Sequence, residues 1–339
     1  MPPASASAAS PADLAARLHP GIAHQVRQAM AAPGTPAHLQ SPAEVRAVYL
    51  AGKKPLVRQP GGPHEGLHIQ DTALERGGAP PLPLRLYRPQ DGVPAGALAY
   101  FHGGGFTNGD LDSHDAVACA LAAGTGCAVA SVDYRVMPAH IFPAAFDDAV
   151  DVLRWLPGWA AALGIAPGAQ GTPAALGAGG DSAGANLALA AALALRGSVP
   201  LRALWLAYPI IGADFDTPSY AENAEAPLLT RARCQRILHD YRGGALQTGD
   251  WRVAPLLAPD LAGLPPAVAI AAELDPLRSD AEILVERLAP TAPGTILVPA
   301  QGMPHGFLRW VADSDACAAV AKQSFAVLRR LMAASGPAA

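Results

Sequence analysis

The chain has 339 residues, which at roughly 150 residues per domain fits two domains or one large α/β unit. Hydrophobic residues are 51% and charged residues 15% of it, which excludes a disordered or polyelectrolyte chain. The formal net charge is −4 and the 24 basic residues form no stripe, which argues against nucleic acid as a partner.

Residues 10–32 and 41–54 are predicted as helices, each opened by a Ser-Pro step that suits an N-cap followed by proline at the first helical position. The Ala/Ser/Pro-rich stretch before them has neither a basic region nor a continuous apolar core, so it does not read as a signal peptide. It is expected to be a frayed tail, like residues 333–339, on a cytoplasmic protein. Strands are predicted at 66–75 and at 82–87, where Leu82, Leu84 and Leu86 alternate. From residue 97 strands alternate with helices. The strands are 97–101, 127–132, 174–178, 203–210, 267–272 and 295–298; the helices are 114–123, 144–156, 183–195, 279–288 and 316–332. Short apolar strands alternating with helices predict a parallel sheet covered on both faces. Residues 212–248 carry no strand pattern; 229–241 looks helical and is a candidate lid together with the N-terminal helices. The apolar run 187–195 is far short of the ~18–20 residues of a bilayer span, so no membrane span is expected. Cys119, Cys127, Cys234 and Cys317 form no C-x-x-C pair and no metal-ligand spacing with histidine, which favours four reduced thiols.

Gly180-Asp181-Ser182-Ala183-Gly184 is the strongest local signal, a G-x-S-x-G between a strand and an apolar helix. With glycine at 34 of 339 positions, a given serine is so flanked by chance about 1% of the time, so the pattern gains weight from its strand–turn–helix context. A dinucleotide-binding turn competes, because Gly177-x-Gly179 sits at the same place. That motif requires Gly or Ala at 182 and an acid near the end of the next strand, and neither is present. His102-Gly103-Gly104-Gly105 follows the strand 97–101. Bare backbone amides there, paired with the amide of Ala183, fit an oxyanion hole; a flexible turn is the competing reading.

A serine hydroxyl needs a base. Of ten histidines, His305 lies in a loop directly after the last predicted strand, at the carboxyl edge of the sheet where Ser182 is also expected. His102 is expected to shape the glycine loop. The base needs a carboxylate, and Asp275, after the strand 267–272 and before Pro276, lies at the same edge. Glu273 and Asp280 are rivals. Glu273 is expected to point to the opposite side of the strand end, and Asp280 to lie already in the next helix.

Together these residues resemble the bacterial hormone-sensitive-lipase-like branch of α/β-hydrolases. The resemblance covers about 82–332 and rests on Leu84-Arg85-Leu86-Tyr87-Arg88-Pro89, the His102 glycine motif, Asp133-Tyr134-Arg135, the Ser182 motif, Ala254-Pro255-Leu256-Leu257-Ala258 and His305-Gly306-Phe307. The family's chain order, serine, acid, histidine, is met by Ser182, Asp275 and His305. Two departures stand out. Val136-Met137-Pro138-Ala139-His140 lacks a glutamate usual in the family, and Ser279 stands where a second acid is often found. The resemblance implies an eight-stranded, mostly parallel α/β-hydrolase sheet with helices on both faces. It implies a cap from residues 1–55 and 212–248 over a core of 56–211 and 249–335. It also implies hydrolysis of short- to medium-chain carboxylic esters through an acyl-enzyme, with a small-molecule ester as partner and no metal or cofactor. Among the oxyanion candidates Gly103, Gly104, Gly105 and Ala183, it favours Gly104 and Gly105 and leaves Gly103 to set the turn. Phe106, Phe215 and Phe307 are candidate pocket walls, with plain core residues as the competing reading for one or two of them. An amidase or lactonase on the same fold, or a receptor without turnover, is the alternative. Relatives often pair through the last strand and helix, which makes a homodimer a candidate; an apolar stripe in 316–332 equally fits a buried terminal helix.

Overall fold

The computed structural model describes residues 10–31, 37–53, 55–167, 173–244 and 249–334. The expected tails at 1–9 and 335–339, and the end of the mid-chain insertion at 245–248, lie outside them.

Eight strands form one sheet: β1 (Leu67–Arg76), β2 (Ala79–Pro89), β3 (Ala97–Phe101), β4 (Ala128–Val132), β5 (Leu176–Asp181), β6 (Ala203–Ala207), β7 (Ala267–Leu274) and β8 (Ile296–Pro304). Their order is β1-β2-β4-β3-β5-β6-β7-β8. The strand β2 pairs antiparallel with both β1 and β4, and from β4 to β8 every pairing is parallel. The sheet is therefore an α/β-hydrolase sheet with its antiparallel edge at the start of the chain.

Side chains on successive residues point to opposite faces of a strand. In β3, Ala97, Ala99 and Phe101 enter one core, while Leu98 and Tyr100 enter the other. In β7, Ala267, Ala269 and Ala271 divide from Val268, Ile270 and Ala272 in the same way. Both faces are buried, which is why these strands read as unbroken apolar runs. One face is covered by α5 (Ala144–Ala162), α6 (Ala183–Ala194) and α9 (Arg278–Leu288), the other by α4 (Asp115–Thr125) and α10 (Asp315–Ala333). The apolar stripe of α10 (Cys317, Ala321, Phe325, Leu328, Met332) is consumed by this packing. All four cysteines are buried and free.

Two helices depart from expectation. The helix expected over 10–32 is broken into α1 (Pro11–Ala16) and α2 (Ala23–Met30). Pro20 disfavours helical backbone at His19, and the His19 amide donates instead to Gly302 O at 2.9 Å. The helix α5 runs past Leu156 and through Pro157. An interior proline costs about 3 kcal/mol. The extra turn buries Trp159 and Ala160. An aromatic of that size buries ~150–250 Å², worth about 4–6 kcal/mol at ~25 cal/mol per Å², which outweighs the loss.

Before the sheet, α3 (Pro42–Gly52) is capped by Ser41 and Glu44. Between β6 and β7 lie α7 (Pro218–Glu222) and α8 (Arg231–Tyr241); α7 had no signal in the sequence reading. Among the described residues no helix is long and apolar enough to cross a membrane.

Candidate active site

In a parallel sheet every carboxyl end opens on the same edge. Loops after β3, β5, β7 and β8 therefore bring Gly103–Gly105, Ser182, Asp275 and His305 to one place. Ser182 alone joins β5 to α6, with φ 53° and ψ −115°, a conformation that costs a non-glycine residue about 1–3 kcal/mol. The turn is so tight that a Cβ at 180 would overlap the backbone of Gly184, and one at 184 the Phe101 carbonyl. The two glycines of the motif are thus steric requirements of the serine's position.

Ser182 Oγ lies 2.9 Å from His305 Nε2, and His305 Nδ1 lies 2.7 Å from Asp275 Oδ2. The other oxygen of Asp275 accepts from the Leu277 amide at 2.9 Å. Asp275 is fully buried, while Ser182 and His305 keep slight exposure. Tyr208 sets its ring edge-on to the imidazole, with centroids 5.0 Å apart. The side-chain amide of Asn223, in the insertion, donates to the carbonyls of Glu273 and Asp275 at 3.1 Å each, and so pins the loop that carries the acid.

Both rival carboxylates are engaged elsewhere. Glu273 accepts from Arg17 and from the Gly302 amide, at 2.7 Å each. Burial alone would raise its pKa, but these bonds bring it below the usual value. Asp280 lies in α9 and accepts from the amides of Ile211 and Gly212 at 3.0 and 2.7 Å. Burial pushes it up to about 7 against those bonds. A folded pKa above the unfolded value of ~3.9 means that this group favours the folded state fully only below about pH 4, and that the benefit is lost as pH rises through about 7. Asp280→Asn keeps an oxygen for both amides and removes the buried charge. We expect it to resist urea better than the parent near pH 8, by on the order of a few kcal/mol, with the gap closing toward pH 4. An equal gap at both pH values would refute the titration. Ser279, in place of the family's second acid, accepts from the Ser219 amide at 3.2 Å and ties α7 to α9.

The glycine loop sorts the oxyanion candidates. The Gly103 amide donates to Asp181 Oδ1 at 2.8 Å, so it has no proton to offer an oxyanion. Gly104 and Gly105 adopt φ values of +129° and +61°, and their amides have no acceptor among the described residues. Ala183 is the first residue of α6, where amides lack a helical partner. The loop is held from outside by α3: Arg46 donates to the carbonyls of Thr107 and Gly109 at 3.2 and 3.3 Å, and Lys53 pairs with Asp110 at 2.8 Å. His102 is fully buried and kept neutral, its pKa pushed down to about 4 by burial and by nearby His114. It stacks on Tyr134, whose hydroxyl donates to His102 O at 2.7 Å.

The site opens into a cavity of about 390 Å³. Val45 and Tyr49 of α3 and Leu228, Leu229, Arg233 and Ile237 of the insertion wall it. None of the three candidate phenylalanines lines it. Phe106 is buried and stacks flat on Tyr241 at 3.7 Å, Phe307 packs edge-on to Tyr208 at 5.6 Å, and Phe215 packs edge-on to Tyr220 at 5.3 Å. Phe106 and Phe307 are core residues, and Phe215 is a partly buried residue packed against the core; each ring finds an aromatic partner. The sequence reading also missed Arg233 and Arg309. A signal for Arg233 was present: Leu229, Arg233 and Ile237 are spaced by four, which puts an arginine in the middle of one apolar helix face. A larger groove of about 590 Å³ lies between Leu67–Ile69 and Arg88–Gln90, at the amino edge of the sheet and away from Ser182. Among the described residues no group of three or more His, Cys, Asp or Glu is placed to hold a metal ion.

Residues 98–309 match a family described as alpha/beta hydrolase fold. Carboxylesterase NlhH of Mycobacterium tuberculosis is 38% identical over 78% of this chain and 83% of its own. Ethyl acetate hydrolase of Pseudomonas putida is 36% identical over 71% of this chain and 76% of its own. The crystal structure of DphMB1 superposes with a TM-score of 0.79 at 34% identity, covering 93% of this chain and 99% of that one.

Proposed function

Because the chain belongs to the alpha/beta hydrolase fold family and is a carboxylic ester hydrolase, we propose that it is a serine esterase for short- to medium-chain acyl esters, with Ser182 as nucleophile, His305 as base and Asp275 as the acid that orients it. The observation that carries this reading is the unbroken hydrogen-bond relay from Ser182 through His305 to Asp275.

Asp275 accepts from Nδ1–H and so leaves Nε2 unprotonated and facing the serine. Ser182 Oγ attacks the ester carbonyl carbon as Nε2 takes its proton. The carbonyl oxygen gains negative charge and is received by the amides of Gly104, Gly105 and Ala183. One such donor is typically worth about 10²–10³ in rate, because it is aimed at charge that exists only in the transition state. The imidazolium passes its proton to the leaving alcohol as the ester C–O bond breaks. Water, deprotonated by His305, then attacks the acyl-enzyme, and the acid leaves as Ser182 recovers its proton. Residues 1–55 and 212–248 act as the cap that bounds the acyl and alcohol sites, and the 56–211 and 249–335 stretches act as the catalytic core. The cavity volume is near the lower end for small-ligand sites, which favours short chains; the name of the ethyl acetate hydrolase relative agrees.

Purified protein is to be assayed on nitrophenyl acetate, butanoate, octanoate and dodecanoate. We expect kcat/KM to peak at acetate or butanoate and to fall at least about tenfold by dodecanoate, as added methylenes overfill the pocket. A peak at dodecanoate overturns the chain-length reading. Absence of turnover on all four, with no covalent fluorophosphonate adduct at Ser182, overturns the esterase.

A further inference from the structure

Among the described residues the non-glycine positions with positive φ are Phe106, Ser182, Tyr208 and Leu228. All lie in or beside the site. Ser182 makes the tight turn, Phe106 follows Gly105 in the glycine loop, and Leu228 walls the cavity. Tyr208, at φ 36°, belongs neither to the relay nor to the cavity wall. Left-handed backbone is costly for a bulky residue and persists only where the surroundings impose it.

What this conformation achieves is visible in β6. Ala203, Trp205 and Ala207 enter the core under α4 and α10, while Leu204 and Leu206 enter the core under α5, α6 and α9. The Tyr208 amide still donates to Ile270 O at 2.8 Å, so the pairing with β7 continues to this residue. Regular alternation would send side chain 208 after Leu204 and Leu206. It turns instead to the face of Ala207. There its buried ring meets His305 edge-on at 5.0 Å and Phe307 at 5.6 Å. Its hydroxyl donates to Asp181 Oδ2 at 3.3 Å, and Oδ1 of the same carboxylate accepts from the Gly103 amide at 2.8 Å. One side chain thus spans from the imidazole to the anchor of the glycine loop.

The relay holds His305 at Nδ1 and Nε2, which leaves the ring free to tilt about the line through those two atoms. Once Ser182 has given up its proton, Nε2–H must face the leaving oxygen while Asp275 grips the other end. A ring packed against the imidazole restrains it through both steps.

We propose that Tyr208 is a positioning residue, whose ring, brought to this face by its left-handed backbone, fixes the tilt of His305 for proton delivery to the leaving alcohol. This rests on the serine esterase reading and adds to it a residue that acts through the base.

The test compares the parent, Tyr208→Phe and Tyr208→Leu on nitrophenyl butanoate and ethyl butanoate, which form the same acyl-enzyme. Nitrophenolate leaves without a proton, whereas the ethyl leaving group needs one from His305. Misplacing a reacting group by about 1 Å costs on the order of 10² in rate. Tyr208→Leu should therefore lose about 10² in kcat/KM on ethyl butanoate and at most about tenfold on nitrophenyl butanoate. Tyr208→Phe keeps the ring, loses one long hydrogen bond and should stay within about fivefold of the parent on both esters. Thermal melts report folding. Tyr208→Met, which fills space without a flat face, replaces the leucine variant where that one does not fold; where neither folds, Tyr208→Phe decides alone. A role in the core alone would lower Tm and leave the ratio of the two esters as in the parent. An unchanged ratio in a folded variant without the ring, or a Tyr208→Phe impaired beyond about tenfold, overturns the positioning role and leaves the esterase standing. No cleavage of either ester by the parent overturns both.

Discussion

Ser182→Ala is expected to lower kcat by about 10⁶, on the scale seen when the nucleophile of another serine hydrolase is removed. The substitution deletes one oxygen, the atom 2.9 Å from His305 Nε2. It leaves the turn intact, because alanine at φ 53° meets the same backbone restriction as serine. Glycines at 180 and 184 still hold the strand–helix junction closed. The site opens on the cavity, so the orphaned imidazole nitrogen can be met by water and the fold should not suffer. Steady-state kinetics paired with a thermal melt separates the two effects: a large loss in kcat with Tm unchanged within a few degrees identifies the nucleophile. A loss under about tenfold would mean that another group attacks the ester.

Asp275→Asn should cost about 10⁴ in kcat with the site geometry preserved, the size found for the equivalent change in another triad. The carboxylate accepts on both oxygens, from His305 Nδ1–H and from the Leu277 amide. An asparagine keeps one carbonyl oxygen and exchanges the other for an NH₂ group. If the oxygen stays with Leu277, the NH₂ group meets Nδ1 and drives the imidazole proton to Nε2, where it blocks acceptance from Ser182. The imidazolium of the transition state also loses the only carboxylate at ion-pair distance from it among the described residues. The variant should therefore lose kcat while KM moves little, and fluorophosphonate should label Ser182 far more slowly. Activity within about tenfold of the parent would remove Asp275 from the mechanism and reopen the question of which acid serves His305.

What could be read from the residue order was whatever depends on local sterics and on period. The alternation of Leu82, Leu84 and Leu86 in β2, the unbroken apolar runs of β3 and β7 and the glycines that flank Ser182 are all short-range features. They carried the sheet, its parallel portion and the loops that converge at its carboxyl edge. What could not be read depends on which way a side chain turns in three dimensions. Gly103 and Gly104 are neighbours of the same type, and only the position of Asp181 makes the first amide occupied and the second available. Phe106 and Phe307 flank functional motifs and Phe215 lies in the insertion, yet each ring turns toward another aromatic ring. The end of α5 was misread because Trp159 outweighs Pro157 only when the core it enters is known. Arg233 was visible as an irregular member of an apolar face, but nothing in one dimension says which cavity that face meets.

The leading helices bear on more than the width of the pocket. Arg46 and Lys53 hold the glycine loop, while Arg17 meets Glu273 and the His19 amide meets Gly302, next to the strand ends that carry the acid and the base. Three of the loops whose mutual distances decide reactivity are thus clasped by one peripheral arm. A proteolytic fragment trimmed to the sheet and its own helices would keep every atom of the relay and still fall out of alignment. Losing the arm would disarm the enzyme rather than broaden its diet.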